Sequence, residues 1–242
     1  MINKIFAFKL VFTFLMTFGL MVFAQAQEVE KLYKQTEQIY STDDLLVNGQ
    51  IYIPTRPRAK GSPYFGEKEF VKGSVQIKGR EFKDVLLRYN LEDQRLILRV
   101  AIESGKIITI VLNSKLIDYF IIGGQRFIYV DSFLDDVEVS GFYVLVYKGS
   151  FAFLIKYEKS FRAVYDIQTP NGSYTDMKSD YFIFDGNKLI GVSKKKMLLN
   201  YFLPQKKEIN SFMRKQKIQY KKASMISLNH LMKYCDSIST NK

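Results

Sequence analysis

The chain has 242 residues and a formal net charge of +12, with 47% apolar and 25% charged residues, 20 Phe, 16 Tyr and no Trp. That profile excludes a disordered chain, and the length is enough for a continuous core. A single cysteine, Cys235, and a single histidine, His230, exclude an intramolecular disulfide and any mechanism or metal site that needs two imidazoles.

Residues 1–26 read as an export signal. Lys4 and Lys9 precede an uncharged run at 10–24, and Ala24-Gln25-Ala26 supplies small residues for cleavage before Gln27. The run is shorter than the ~20 residues that cross a bilayer as a helix, so a removed signal is expected rather than an anchor. The mature chain would then be periplasmic, cell-surface or secreted, with no transmembrane helix. Losing two lysines and no acid leaves it at +10.

Residues 28–40 are polar and weakly periodic. Residues 54–68 hold three of the five prolines, which remove backbone donors, so a surface loop or irregular edge follows a short strand at Ile51-Tyr52-Ile53. From Gly73 the pattern has period two. Val75 and Ile77 alternate with Gln76 and Lys78; Val85, Leu87 and Tyr89 with Asp84, Leu86 and Arg88; Leu96, Leu98 and Val100 with Arg95, Ile97 and Arg99. Turn signals fall between the runs at Lys78-Gly79, residues 90–93, Gly123-Gly124, residues 148–150, Asn171-Gly172 and Asp185-Gly186. The last two pairs are the favoured residues of two-residue hairpin loops. About ten strands are expected before Ser193, as an antiparallel meander forming a barrel or a sandwich.

Beyond Ser193 the period changes. Met197, Leu198, Tyr201 and Phe202 share one helix face, which Pro204 ends. Ile209, Phe212 and Met213 form a second stripe within 205–217. Ser224 is placed to cap a third helix whose Leu228, Leu231, Met232 and Cys235 share a face. The expected organisation is a signal peptide (1–26), a mainly β body (27–193) and a C-terminal helical appendage (194–242). A lipid-embedded barrel is disfavoured, because candidate strands carry charge on one face and a polar helix follows them.

Charge is partitioned along the chain. Residues 27–193 carry 22 basic and 22 acidic side chains. Residues 194–222 carry ten cations against one acid, Glu208: Lys194, Lys195, Lys196, Lys206, Lys207, Arg214, Lys215, Lys217, Lys221 and Lys222. Such a segment fits an anionic surface, or serves as a solvated face that keeps the protein soluble.

Catalytic signals are sparse. His230 and Cys235 are five residues apart, about 500° around a helix, so they do not share a face. Cys235, beside Leu231 and Met232, is expected in a core and His230 at a surface. The Gly-x-Ser-x-Gly, Asp-Thr/Ser-Gly and Gly-x-Gly-x-x-Gly patterns are absent. Asp131, Asp135, Asp136 and Glu138 cluster between two strong strands. Two of them could divide acid and base roles in glycan hydrolysis, or all could simply solvate a loop. Aromatic stripes through Tyr119, Phe120, Phe127, Tyr129, Phe142 and Tyr143 read as core, with an apolar ligand pocket as the other reading. No cofactor or metal is expected.

The order of several features resembles a group of exported β-rich proteins of Gram-negative bacteria with no assigned function. These are Val47-Asn48-Gly49, Tyr64-Phe65-Gly66, Leu87-Arg88-Tyr89-Asn90, the run 141–149 (GFYVLVYKG) and the Lys-rich helices. The resemblance implies an envelope location and this architecture, and brings no catalytic set. The expected function is non-catalytic binding to an anionic envelope surface or an envelope protein. Export disfavours nucleic acid as a partner. The alternative is a glycan-acting hydrolase using the 131–138 carboxylates.

Overall fold

A computed structural model describes residues 43–66, 68–102, 104–134 and 137–239, without the side chains of Phe133, Val137 and Glu138. The expected signal at 1–26 and the polar segment 28–40 lie outside the described residues. The described chain falls into two compact units. In the first (43–47 and 101–106), Asp43 closes a turn, its carbonyl accepting from Leu46 N and Val47 N and its carboxylate from Leu45 N. A second turn there is closed by Ile102 N donating to Lys106 O.

The other unit, 48–100 and 107 onward, holds the sheets and helices. Its strands are β1 (Gly49–Ile51), β2 (Val71–Ile77), β3 (Arg80–Asn90), β4 (Arg95–Ala101, whose last residue falls in the first unit), β5 (Ile107–Leu112), β6 (Ile117–Ile122) and β7 (Gln125–Leu134). They continue with β8 (Val137–Lys148), β9 (Ala152–Glu158), β10 (Phe161–Arg162), β11 (Ser173–Tyr174), β12 (Lys178–Phe184) and β13 (Lys188–Gly191). Thirteen strands are thus present among the described residues, where about ten were expected. Eleven form one sheet in the order β1-β5-β4-β3-β2-β6-β7-β13-β12-β9-β8, and β10–β11 form a separate pair. The pairing is antiparallel except for a short parallel contact of β13 with the end of β7. The large sheet does not close into a barrel; it folds back at β7 and β8, which also pair with each other.

That fold-back creates two cores with β8 as the shared wall, and residues 141–144 of β8 are buried whichever way they point. On one side Phe142 joins Tyr89, Phe120 and Phe127, with ring centroids 4.7–5.8 Å apart. On the other, Tyr143 joins Val130, Leu154, Phe182 and Leu189, one buried residue from each of β8, β7, β9, β12 and β13. Phe120, Phe127, Phe142 and Tyr143 therefore fill the interior, while Tyr119 and Tyr129 are half-buried, the Tyr119 hydroxyl donating to Glu81.

Two-residue hairpin loops with positive φ at both positions form at Lys78-Gly79 (48° and 79°) and Gly123-Gly124 (58° and 72°). Asn171-Gly172 and Asp185-Gly186, expected as such loops, belong to longer connections. Asp185 instead caps its turn, its carboxylate accepting from Asn187 N and Lys188 N. In β3, Asp84 (φ 55°) adds a residue opposite β2, so Phe82 and Leu87 both reach the core despite their odd spacing. Gly73, on β2, is needed for close approach, since a Cβ there would fall onto the carbonyl oxygen of Ile121. Gly73→Ala is expected to cost about 1–3 kcal/mol, read as a lowered urea midpoint at unchanged slope.

The three helices are α1 (Lys195–Tyr201), α2 (Lys206–Lys215) and α3 (Met225–Ser239). Ser224 caps α3 as its position predicted, accepting from Ser227 N at 3.2 Å. Leu228, Leu231, Met232 and Cys235 are fully buried. In α1 the buried face is Leu198, Leu199 and Phe202, while Met197, expected inside, is 42% exposed. The segment is continuous with the sheet: Phe202 packs on Phe151, Tyr220 on Tyr181, and the Tyr220 hydroxyl donates to Val192 O.

Candidate functional site

All ten predicted cations are exposed. Lys194–Lys196 lie at the start of α1, and Lys206, Lys207, Arg214 and Lys215 lie on α2. Lys217 follows α2, and Lys221 and Lys222 end the 3-10 turn at Tyr220–Lys222. On α2, Ile209 and Met213 are buried, and helical geometry places Lys207, Arg214 and Lys215 opposite them. Among the described residues none of the ten is within ion-pair distance of a carboxylate. Lys221 is committed to the body: its ammonium donates to Ser179 O at 2.9 Å and sits 4.4 Å from the Tyr181 ring centroid. The other nine face water. Exposed apolar groups lie in or next to this segment, with Met197 at 42%, Leu203 at 63% and, at the start of α3, Ile226 at 83%.

What ties α3, the helix that follows this basic segment, to the sheet is a contact that the sequence did not announce. Asp236, near the end of α3, is buried and reaches the turn between β8 and β9. Its carboxylate accepts from the Tyr147 hydroxyl at 2.6 Å, from Ser150 N at 3.0 Å and from the Ser150 hydroxyl. A Cβ on Gly149 would collide with the Asp236 carboxylate and the Tyr147 hydroxyl, so that turn requires glycine. Burial alone would raise the Asp236 pKa, but the hydrogen bonds from Ser150 and Tyr147 outweigh it and hold it below the usual carboxylate value. Burial and the neighbouring carboxylate push the Tyr147 hydroxyl up to about 12. Two turns earlier, the Asn229 amide donates to Val146 O at 2.6 Å. The Ser–Asp–Tyr group has no imidazole to activate its serine, and its geometry ties a helix to a sheet.

The other candidate residues are described only in part. Asp131 is exposed on β7, opposite Ser140. Asp135 and Asp136 lie outside the described residues, and so does the Glu138 side chain. No group of three or more His, Cys, Asp or Glu side chains gathers at metal-binding distance among the described residues. His230 is exposed against the Phe212 ring, which stacks on Tyr234 at 4.0 Å. Cys235 is fully buried, and burial pushes its thiol up to about 12, far from a reactive thiolate. A cleft of about 430 Å³ at the β1 edge, between residues 48–50, Arg95 and residues 111–114, has Arg95 as its one ionisable side chain.

A cation–aromatic stack is a second feature that alternation could not show. The Arg88 guanidinium lies 4.0 Å from the Tyr64 centroid and 4.2 Å from that of Phe70, and Arg99 lies 4.1 Å from Phe70 on its own account. Arg88 also donates to Lys68 O, and Lys159 donates to Ser62 O and Tyr64 O. Together they pin the Pro/Gly loop over β3 and β4. The face expected to be wet is thereby covered, and Ile97, opposite Arg88, is fully buried. No helix among the described residues is long and apolar enough to cross a membrane. Comparison with family models, with curated proteins and with solved structures returns no match.

Proposed function

We propose that this is an exported, non-catalytic protein that docks on an anionic envelope surface through its C-terminal helices. The observation that carries the reading is the set of nine exposed cations between Lys194 and Lys222 that make no ion pair among the described residues, beside a β body whose own charges cancel. A folded domain gains nothing internally from such a cluster, because like charges on one segment repel. Near an anionic lipid surface each cation contributes ~1 kcal/mol, and the exposed Met197, Leu203 and Ile226 add apolar contact. The latch at Asp236 supports the same reading, since it fixes α3, the helix next to the basic segment, on the sheet.

The test is co-sedimentation of the mature chain with vesicles of 30% anionic lipid and with purely zwitterionic vesicles. The expected result is strong association with the first and little with the second. Equal association with both would reject the charged segment as the contact.

A further inference from the structure

Residues 163–172 connect β10 and β11 and form an ordered loop whose apolar side chains point away from the protein. Val164 is 64% exposed, Tyr165 66% and Ile167 fully so. Isolated exposed apolar residues are ordinary, but three within four residues at one loop tip mark a surface meant to be covered.

The base of this loop is rigid. Phe161 pairs with Tyr174, their ring centroids 5.6 Å apart, and the Arg56 guanidinium sits 4.3 Å from the Phe161 centroid while pairing with Glu92 at 2.8 Å. The Tyr174 hydroxyl donates to the same Glu92 carboxylate, and Lys60 exchanges backbone hydrogen bonds with Gly172 and Tyr174. The tip closes only its C-terminal half, and the backbone N–H groups of Val164, Tyr165, Asp166 and Ile167 have no partner among the described residues. Asp166 Oδ1 accepts from Gln168 N at 2.8 Å and Thr169 N at 2.6 Å, and the Thr169 hydroxyl lies within hydrogen-bond reach of both Asp166 Oδ1 and Val164 O. Gly172 N donates to Thr169 O. The tip's open donors suit the hydrated interfacial layer and not the hydrocarbon core, where they would lack partners.

We infer that this loop inserts Val164, Tyr165 and Ile167 into the interfacial layer of an anionic bilayer, with Lys60 and Arg162 at its base meeting the headgroups. Both cations are exposed, and Lys60 lies close enough to bear on the Asp166 carboxylate, the only acid of the loop. A convex tip with apolar side chains and a basic base matches a headgroup-and-acyl boundary, where tyrosine also prefers to sit. Asp166, already bonded by Thr169 and Gln168, limits the depth to that boundary. The inference rests on the envelope-surface reading and adds a second, apolar contact to its charged one.

The chain has no tryptophan, so Ile167→Trp provides a single reporter at a position that packs against nothing. Its emission is measured with 30% anionic vesicles while co-sedimentation records total binding. Binding with a clear blue shift is expected, and Ile167→Asp should bind about tenfold or more weakly. Binding with unshifted emission overturns tip insertion and leaves the basic helices as the sole contact. No binding at all overturns both readings. A shift produced only by detergent-solubilised envelope proteins, and not by vesicles, overturns insertion in favour of a protein partner.

Discussion

Asp236→Ala is expected to lower the stability of the whole β-and-helix unit by about 3 kcal/mol, a drop of roughly 6–12 °C in Tm for a chain of this size. The carboxylate is the shared acceptor of Tyr147 OH, Ser150 N and Ser150 OH, donors that lie 86 to 89 positions away in sequence. Hydrogen bonds to an ionised group are each worth about 1.5–3 kcal/mol, and the total is held down because Ser150 can turn to water. Asp236→Asn keeps one acceptor and loses less. Gly149→Ala attacks the same contact from the sheet side, because its methyl group takes the space of the carboxylate and the Tyr147 hydroxyl. The pH dependence has a definite sign. A carboxyl held below its unfolded value of 3.8 stabilises the fold in full above that value, and the contribution is lost as pH falls through the lower folded value. Urea midpoints from pH 7 down to pH 2.5 should therefore fall more steeply for the native chain than for Asp236→Asn. Parallel acid limbs would show that the latch carries no ionised bond.

Replacing Lys206, Lys207, Arg214 and Lys215 together with Gln is expected to weaken association with anionic vesicles by ~4 kcal/mol, roughly a thousandfold. All four side chains are exposed and make no ion pair among the described residues, while the helix is held by Ile209 and Met213. The fold should lose only the small favourable effect of Arg214 and Lys215 at the helix C-terminus, about 0.3–1 kcal/mol each. Lys221 is a poor choice for the same experiment. Its ammonium bonds Ser179 O and covers Tyr181, so neutralising it disturbs packing as well as charge. A quadruple variant that keeps its urea midpoint and still binds like the native chain would place the contact elsewhere.

Much of this architecture was legible in the residues, for reasons that also explain the misses. Alternation found the strands where one face meets the core, as at Val75 and Ile77. It failed at Ile97, because the cover on that face comes from Tyr64, Phe70 and Arg88, a loop and a stack that no local period encodes. It holds from Asp84 to Tyr89 but does not extend to Phe82, because one extra residue at Asp84 reverses the parity of β3. Several residues of the exported-protein resemblance prove to be packing. Phe65 lies against Phe127 and Tyr157, and the Asn90 side chain accepts from Glu92 N and Asp93 N to close the β3–β4 turn.

The basic segment was visible as a count of charges, and its exposure follows from the amphipathic pattern of α2. Asp236 was not visible, because an acid near a helix end looks solvated until a partner is found. The one local trace was Gly149. It reads as a turn residue in sequence, yet it is required by the side chains that converge on it.

The most direct measurement is a salt titration of vesicle binding by residues 27–242, from 20 mM to 500 mM at a fixed 30% anionic lipid. If cations on α1, α2 and the turn that follows make the contact, the partition coefficient should fall steeply as salt rises, leaving a small floor set by apolar groups. A partition coefficient that stays flat across that range would mean the protein reaches its surface by other means.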